Sequence, residues 1–139
     1  MSSAGNAVAL AAEYHARGFN CAESVFKGVC EACRLKTGGG AGVDSRIATG
    51  LGFGSGGSGC QCGALAGAAL AVSLKFGRSD SKQSKEKVYA KIRGLHEEFK
   101  KACKSSVVCC RVLRGKEGKK CVLYVEAAAR IAAKLIEEG

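Results

Sequence analysis

Four of the nine cysteines in this 139-residue chain, Cys21, Cys62, Cys110 and Cys121, each fall at or just inside the start of a segment that reads as a helix. A helix N-terminus carries unpaired backbone N–H groups and the positive end of the macrodipole. A thiol held there is expected to lose its proton more easily, and an anionic group beside it is favoured. The four lie in separate segments, so only the fold can bring them together. If it does, they make a tetrathiolate pocket.

The other candidates for chemistry are weaker. Cys30-x-x-Cys33 places two thiols on one helix face but well away from Cys21, so a second metal or redox pair competes with two buried small hydrophobes, and the packing reading is preferred. Cys60-Gln61-Cys62 and Cys109-Cys110 each set a spare thiol beside one of the four. Cys103 stands alone. Neither His15 nor His96 has a companion at ligand spacing, and both read as structural. The tract Gly50–Gly59 holds two overlapping G-x-G-x-x-G matches, from Gly52 and Gly54, but no strand precedes them and no βαβ unit fits around them. The better expectation is a loop folded over whatever Cys62 binds, offering N–H groups to it. No Ser/His/Asp grouping and no paired carboxylates give hydrolytic chemistry a foothold.

The elements that must position these thiols follow from periodicity. A first helix is expected from about Ala4 to Arg17, ending at Gly18, with Val8, Ala11, Ala12 and His15 near one face. Asn20 reads as an N-cap with Glu23 at capping-box spacing, opening a helix from Cys21 to Lys36. Gly38, Gly39, Gly40 and Gly42 break the chain, and Val43 to Thr49 predicts a short helix with Asp44 near its start. The uncharged run from Cys62 predicts a central buried helix ending near Gly77, with Gly63 and Gly67 admitting close approach of another backbone. Val88, Ile92, Leu95, Phe99 and Ala102 give one apolar stripe on a helix over Ser84 to Lys104. Ser105 or Ser106 is expected to cap a short helix through Cys110 that stops at Gly115. Cys121 opens a last helix to about Glu137, apolar over a broad arc that includes Val122 and Leu123.

Composition bounds the answer. With 47% hydrophobic residues, no proline or tryptophan and few aromatics, residues 1–139 read as one all-α domain, a compact bundle of about five to seven helices with a glycine-rich loop. The first twenty residues have no basic leader, and Glu13, His15 and Arg17 interrupt their apolar stretch, so neither a signal peptide nor a membrane span is expected. The cysteines then suit a reducing cytoplasm, as metal ligands or redox centres rather than structural disulfides. The net charge is +10, and Lys82 to Lys120 holds thirteen Lys and Arg against four Glu. That segment has no zinc-finger spacing, aromatic stacking motif or reading helix. Nucleic acid is therefore not the expected partner; an acidic protein or a bound anionic cofactor accounts for the charge.

Gly18-Phe19-Asn20-Cys21-Ala22-Glu23-Ser24-Val25, Cys62-Gly63-Ala64-Leu65-Ala66-Gly67, Cys110-Arg111-Val112-Leu113-Arg114-Gly115 and Cys121 together resemble the C-GCAxxG-C-C family of redox-active proteins, from Gly18 to about Ala133. A related domain occurs in split-Soret cytochromes alongside an iron–sulfur centre. The resemblance implies a helical domain in which Cys21, Cys62, Cys110 and Cys121 are the metal ligands of an iron–sulfur cluster, [2Fe–2S] or [4Fe–4S]. Cys30, Cys33, Cys60, Cys103 and Cys109 fall outside the signature, and Arg114 stands where the motif usually has an apolar residue. Arg111, Arg114, Lys116, Lys119 and Lys120 would offset the charge of such a cluster and raise its potential. The expected function is a small electron carrier, an oxidoreductase if an enzyme at all, serving an acidic redox partner protein. The alternatives are a metal-free thiol–disulfide oxidoreductase cycling Cys109-Cys110 or Cys60/Cys62, and a structural four-cysteine zinc module. A homodimer is also expected, since a thin helical domain with an apolar final helix leaves surface to bury.

Overall fold

In a computed structural model that describes residues 2–38, 42–115, 118 and 120–139, the chain is all-α. Among the described residues eight helical segments follow in order: α1 (Ser3–Ala16), α2 (Cys21–Ala32), α3 (Arg46–Thr49), α4 (Gly52–Ser55), which is a turn with left-handed backbone at Phe53 and Gly54, α5 (Gly63–Phe76), α6 (Glu86–Cys103), α7 (Cys110–Leu113) and α8 (Cys121–Glu138). The bundle is built on α2, α5 and α8, which pack on one another; α1 covers α2 and α8, and α6 covers α5 and α8. Phe26, Leu65, Leu95, Phe99 and Val125 fill its centre.

Small residues set how closely the helices approach. A Cβ on Gly28 of α2 would lie 2.8 Å from the Ala11 backbone nitrogen of α1, and one on Gly67 of α5 would run into the Ala22 carbonyl of α2. Two contacts that would have clashed thus become backbone packing, as the glycine spacing in α5 implied. The same closeness corrects the expected face of α1. Its buried stripe is Ala7, Ala11 and Tyr14, whereas Val8, Ala12 and His15 are only half-buried. The Tyr14 hydroxyl donates to Glu31 (2.6 Å to Oε2), and Lys27 pairs with the same carboxylate at 3.0 Å, tying α1 to α2.

Other boundaries differ from expectation for local reasons. α2 stops at Ala32 rather than Lys36 because Arg34 turns left-handed (φ 61°), letting the Leu35 and Arg34 amides donate to the Cys30 and Glu31 carbonyls and close a Schellman turn. In α6, Val88, Leu95 and Phe99 are buried and Ile92 packs against the core, but Ala102 is exposed and Cys103 takes its place. No helix starts at Ser105 or Ser106. Val107 and Val108 are β-branched and suit extended chain, and the Val108 carbonyl accepts from the Cys62 amide at 2.7 Å. In α8 the bundle covers Tyr124, Val125, Ala128, Ala129, Ile131, Ala132, Ala133 and Ile136, leaving Val122 and Leu123 of the first turn exposed. The break at Gly38–Gly42 lies partly outside the described residues. Among those described, no helix is long and apolar enough to cross a membrane.

Candidate metal and redox site

Each of the four cysteines stands at a helix start: Cys21, Cys110 and Cys121 are the first residues of α2, α7 and α8, and Cys62 is the N-cap of α5. Their placement is fixed locally. The Asn20 side chain accepts from the Glu23 amide at 2.8 Å, and Glu23 accepts from the Asn20 amide at 2.9 Å, the full capping box. Thr49 of α3 locks that box, donating its hydroxyl to Glu23 at 2.7 Å and accepting from the Asn20 amide side chain at 3.1 Å. Cys62 and Cys110 are joined by a short antiparallel pairing centred on Gln61 and Cys109, in which the Cys110 amide donates to the Cys60 carbonyl. The buried Tyr124 hydroxyl of α8 donates to the Leu113 carbonyl at the end of α7 (2.8 Å), so the helices that carry Cys110 and Cys121 are held to each other.

All four cysteines line one cavity of about 590 Å³. The tertiary structure therefore gathers from four separate segments the set that spacing alone could only nominate. A Cβ on Gly63 would strike the Cys21 sulfur and come within 3.0 Å of the Leu51 carbonyl, so the wall beside that thiol exists only because residue 63 has no side chain. Among the described residues no three His, Cys, Asp or Glu side chains close on a point as they would around a single ion.

Helix-start placement does not leave these thiols easy to ionise. Burial pushes Cys62 up to about 12, against the opposing pull of the Leu65 and Ala64 amides at the start of α5. Cys110 and Cys121 are also raised, by burial first and further by the charge of Cys21; the Arg114 guanidinium pulls both the other way. Desolvation by burial outweighs the helix start at each of the three. Arg114 favours thiolate at Cys110 and Cys121 without offsetting the cost of burial.

The glycine tract behaves differently from expectation. Its amides at Ser55, Gly56, Gly57, Gly59 and Cys60 donate to carbonyls of Leu51, Gly52, Phe53 and Gly54, leaving none of these five for a ligand. The tract's contribution is Phe53, which lines the cavity from a left-handed backbone (φ 55°, ψ 37°) and is 55% exposed. Arg111 holds the tract in place, its Nε donating to the Gly59 carbonyl at 3.2 Å. Of the cations expected to offset charge, Arg114 lines the cavity; Lys120 is exposed, and Lys116 and Lys119 lie outside the described residues.

A model of the family described as "Putative redox-active protein (C_GCAxxG_C_C)" matches residues 19–135. The chain belongs to this family. Its role is accordingly a redox one. No curated protein and no solved structure matches the chain.

The family's cysteine set is not the whole wall. His15, Phe19, Phe53 and Tyr124 also line the cavity and were not selected by spacing. His15 lies on the last turn of α1, and its only sequence signal was proximity to the Gly18–Cys21 motif. Cys30, in contrast, is fully buried in the core and raised to about 12 by burial, as a packing residue would be. Cys33, pushed to about 11, and Cys103, also about 11, lie away from the cavity's lining.

Proposed function

We propose that the protein holds an iron–sulfur cluster through Cys21, Cys62, Cys110 and Cys121 and passes electrons to an acidic protein partner. The observation that carries this reading is the convergence of four helix-start thiols on one cavity of about 590 Å³. A thiol–disulfide oxidoreductase whose first attacking sulfur is one of the cavity thiols is less well supported, since burial raises the pKa values of Cys62, Cys110 and Cys121.

When bound, the cluster would supply one-electron chemistry. The chain's own residues do the rest. Amides at the start of α5 and the Arg114 guanidinium offset thiolate charge, which stabilises the more negative, reduced state and raises the potential. Phe53, Phe19 and Tyr124 supply apolar wall that limits water at the sulfurs. Outside, exposed Val112 and Leu123 stand two residues beyond Cys110 and Cys121, among exposed Arg111, Arg114 and Lys120. Apolar contacts rimmed by cations close to the ligands suit brief docking of an acidic protein.

The test is an anaerobic visible and EPR spectrum with iron and sulfide analysis. Stoichiometric iron and sulfide, lost on replacing any of the four cysteines with serine, is the expected result. A colourless, iron-free protein after anaerobic purification and reconstitution would overturn the reading, and one bound zinc without visible absorption would replace it.

A further inference from the structure

Cys60 is exposed and lies outside the family's cysteine set, yet the Gln61–Cys109 pairing brings it to Cys110. With Gln61 opposite Cys109, Cys60 stands opposite Cys110 and Cys62 opposite Val108, and the two connecting bonds run from the Cys110 amide to the Cys60 carbonyl and from the Cys62 amide to the Val108 carbonyl. Side chains alternate along extended chain, so Cys60 and Cys110 share one face while Cys109 faces the other way with Gln61. Both cysteines also pack against Gly54. A Cβ built there would lie 2.6 Å from the Cys60 amide nitrogen and 2.7 Å from the Cys110 Cβ, so both converge on a residue that has no side chain.

One bond joins Cys60 and Cys110, the Cys60 amide donating instead to the Gly54 carbonyl; opposed residues of an antiparallel pair have Cα atoms about 4.5–5.5 Å apart, inside the range of about 4.4–6.8 Å that a disulfide spans. The neighbouring combinations fit less well. Cys60 and Cys62 are two residues apart on one extended strand, about 6.6 Å by the strand rise and at the edge of that range. Cys109 and Cys110 are adjacent and point to opposite faces. In the reduced chain the Cys60 sulfur rests 4.0 Å from the Ser58 carbonyl, a weak contact that rotation about one side-chain bond releases.

We propose that Cys60 and Cys110 are a disulfide-forming pair, with a hydroperoxide as oxidant and exposed Cys60 as the sulfur it meets first. The Cys60 thiol gives up its proton as its sulfur attacks the peroxide's outer oxygen; the S–O bond forms, the O–O bond breaks, and the leaving hydroxide or alkoxide takes that proton as water or the alcohol. The Cys110 sulfur then attacks Cys60, the S–S bond forms, the S–O bond breaks, and the departing hydroxide takes the Cys110 proton as water. Two thiols lose two electrons and one hydroperoxide is reduced. The bond would withdraw Cys110 from the cavity's thiol set. That consequence depends on the proposed cluster reading; the disulfide itself does not.

The test uses the full chain, reduced and free of metal, with one equivalent of hydrogen peroxide, followed by thiol counting and mass-spectrometric mapping of linked peptides. Two thiols lost per chain, with a Cys60–Cys110 linked peptide, is the expected result. Cys60→Ser should leave Cys110 free, and Cys109→Ser should leave the linkage unchanged; circular dichroism confirms that both variants keep their helices. A linkage of Cys60 to Cys62, of Cys109 to Cys110, or between two chains through Cys60 would overturn the proposal, as would no loss of thiols. Because the readout is a peptide from metal-free protein, it fails or succeeds independently of any cluster.

Discussion

Gly63, Gly67 and Gly94 offer a comparison in which the same substitution, glycine to alanine in a helix, should have three different outcomes. At Gly94, inside α6, nothing lies within 4 Å of an added Cβ. Gly94→Ala should therefore show the plain propensity gain of about 0.5–1 kcal/mol. At Gly67 the Cβ would run into the Ala22 carbonyl and lie 3.1 and 3.2 Å from the Ala22 carbonyl carbon and Cα, all backbone of α2 that cannot rotate away. Overpacking of that kind costs about 1–3 kcal/mol, and with the propensity gain set against it the net loss should be about 1–2 kcal/mol. At Gly63 the added carbon would strike the Cys21 sulfur, which can give by turning about one bond, with the Leu51 carbonyl at 3.0 Å and the Gly52 Cα at 3.3 Å behind it. Gly63→Ala should cost less, about 1 kcal/mol or under, but it displaces a thiol of the cavity. Urea denaturation of the metal-free protein measures the first quantity, and iron bound per chain after anaerobic reconstitution measures the second. The expected pattern is crossed: Gly67→Ala is the less stable variant and retains iron, while Gly63→Ala is the more stable and loses most of it. Equal iron in both, or loss in Gly67→Ala alone, would refute the view that residue 63 is kept bare for Cys21.

Other consequences are open to direct measurement. Phe53→Gly removes an aromatic side chain from the cavity wall and should shorten the lifetime of the bound cluster in air, read as the decay of its visible absorption. Tyr124→Phe leaves the buried Leu113 carbonyl without its donor and should cost about 1–2 kcal/mol in urea denaturation. Arg114→Gln removes a cation that favours charge on Cys110 and Cys121, so a redox titration should give a more negative midpoint potential. In the metal-free protein Cys30 and Cys62 are pushed up to about 12 from an ordinary value of 9.0. The unfolded chain ionises these thiols first, so the stability they contribute is whole below pH 9 and lost as pH rises toward 12; Cys30→Ala should flatten that alkaline decline in denaturation curves collected across the range.

Much of the molecule was legible in the chain because its signals are local. Asn20 and Glu23 specified the start of α2 by their spacing, the stripe through Val88, Leu95 and Phe99 gave α6, and Gly63 and Gly67 marked where another backbone would come close. The same local logic put Cys21, Cys62, Cys110 and Cys121 at helix starts, where the structure also has them. What spacing could not contain was distance between segments. That four thiols line one cavity, that His15, Phe53, Arg114 and Tyr124 join them there, and that Cys60 stands across from Cys110 depend on how α2, α5, α7 and α8 meet. The ionisation of the thiols was decided there too. A helix start read alone favours thiolate, but burial is a property of the assembled wall, and it outweighs the dipole at Cys62, Cys110 and Cys121. Sequence thus determined which residues begin helices, since capping and periodicity act within a few residues. Only the tertiary structure decided which of them share a space and what that space does to their charge, because desolvation and proximity are set by packing.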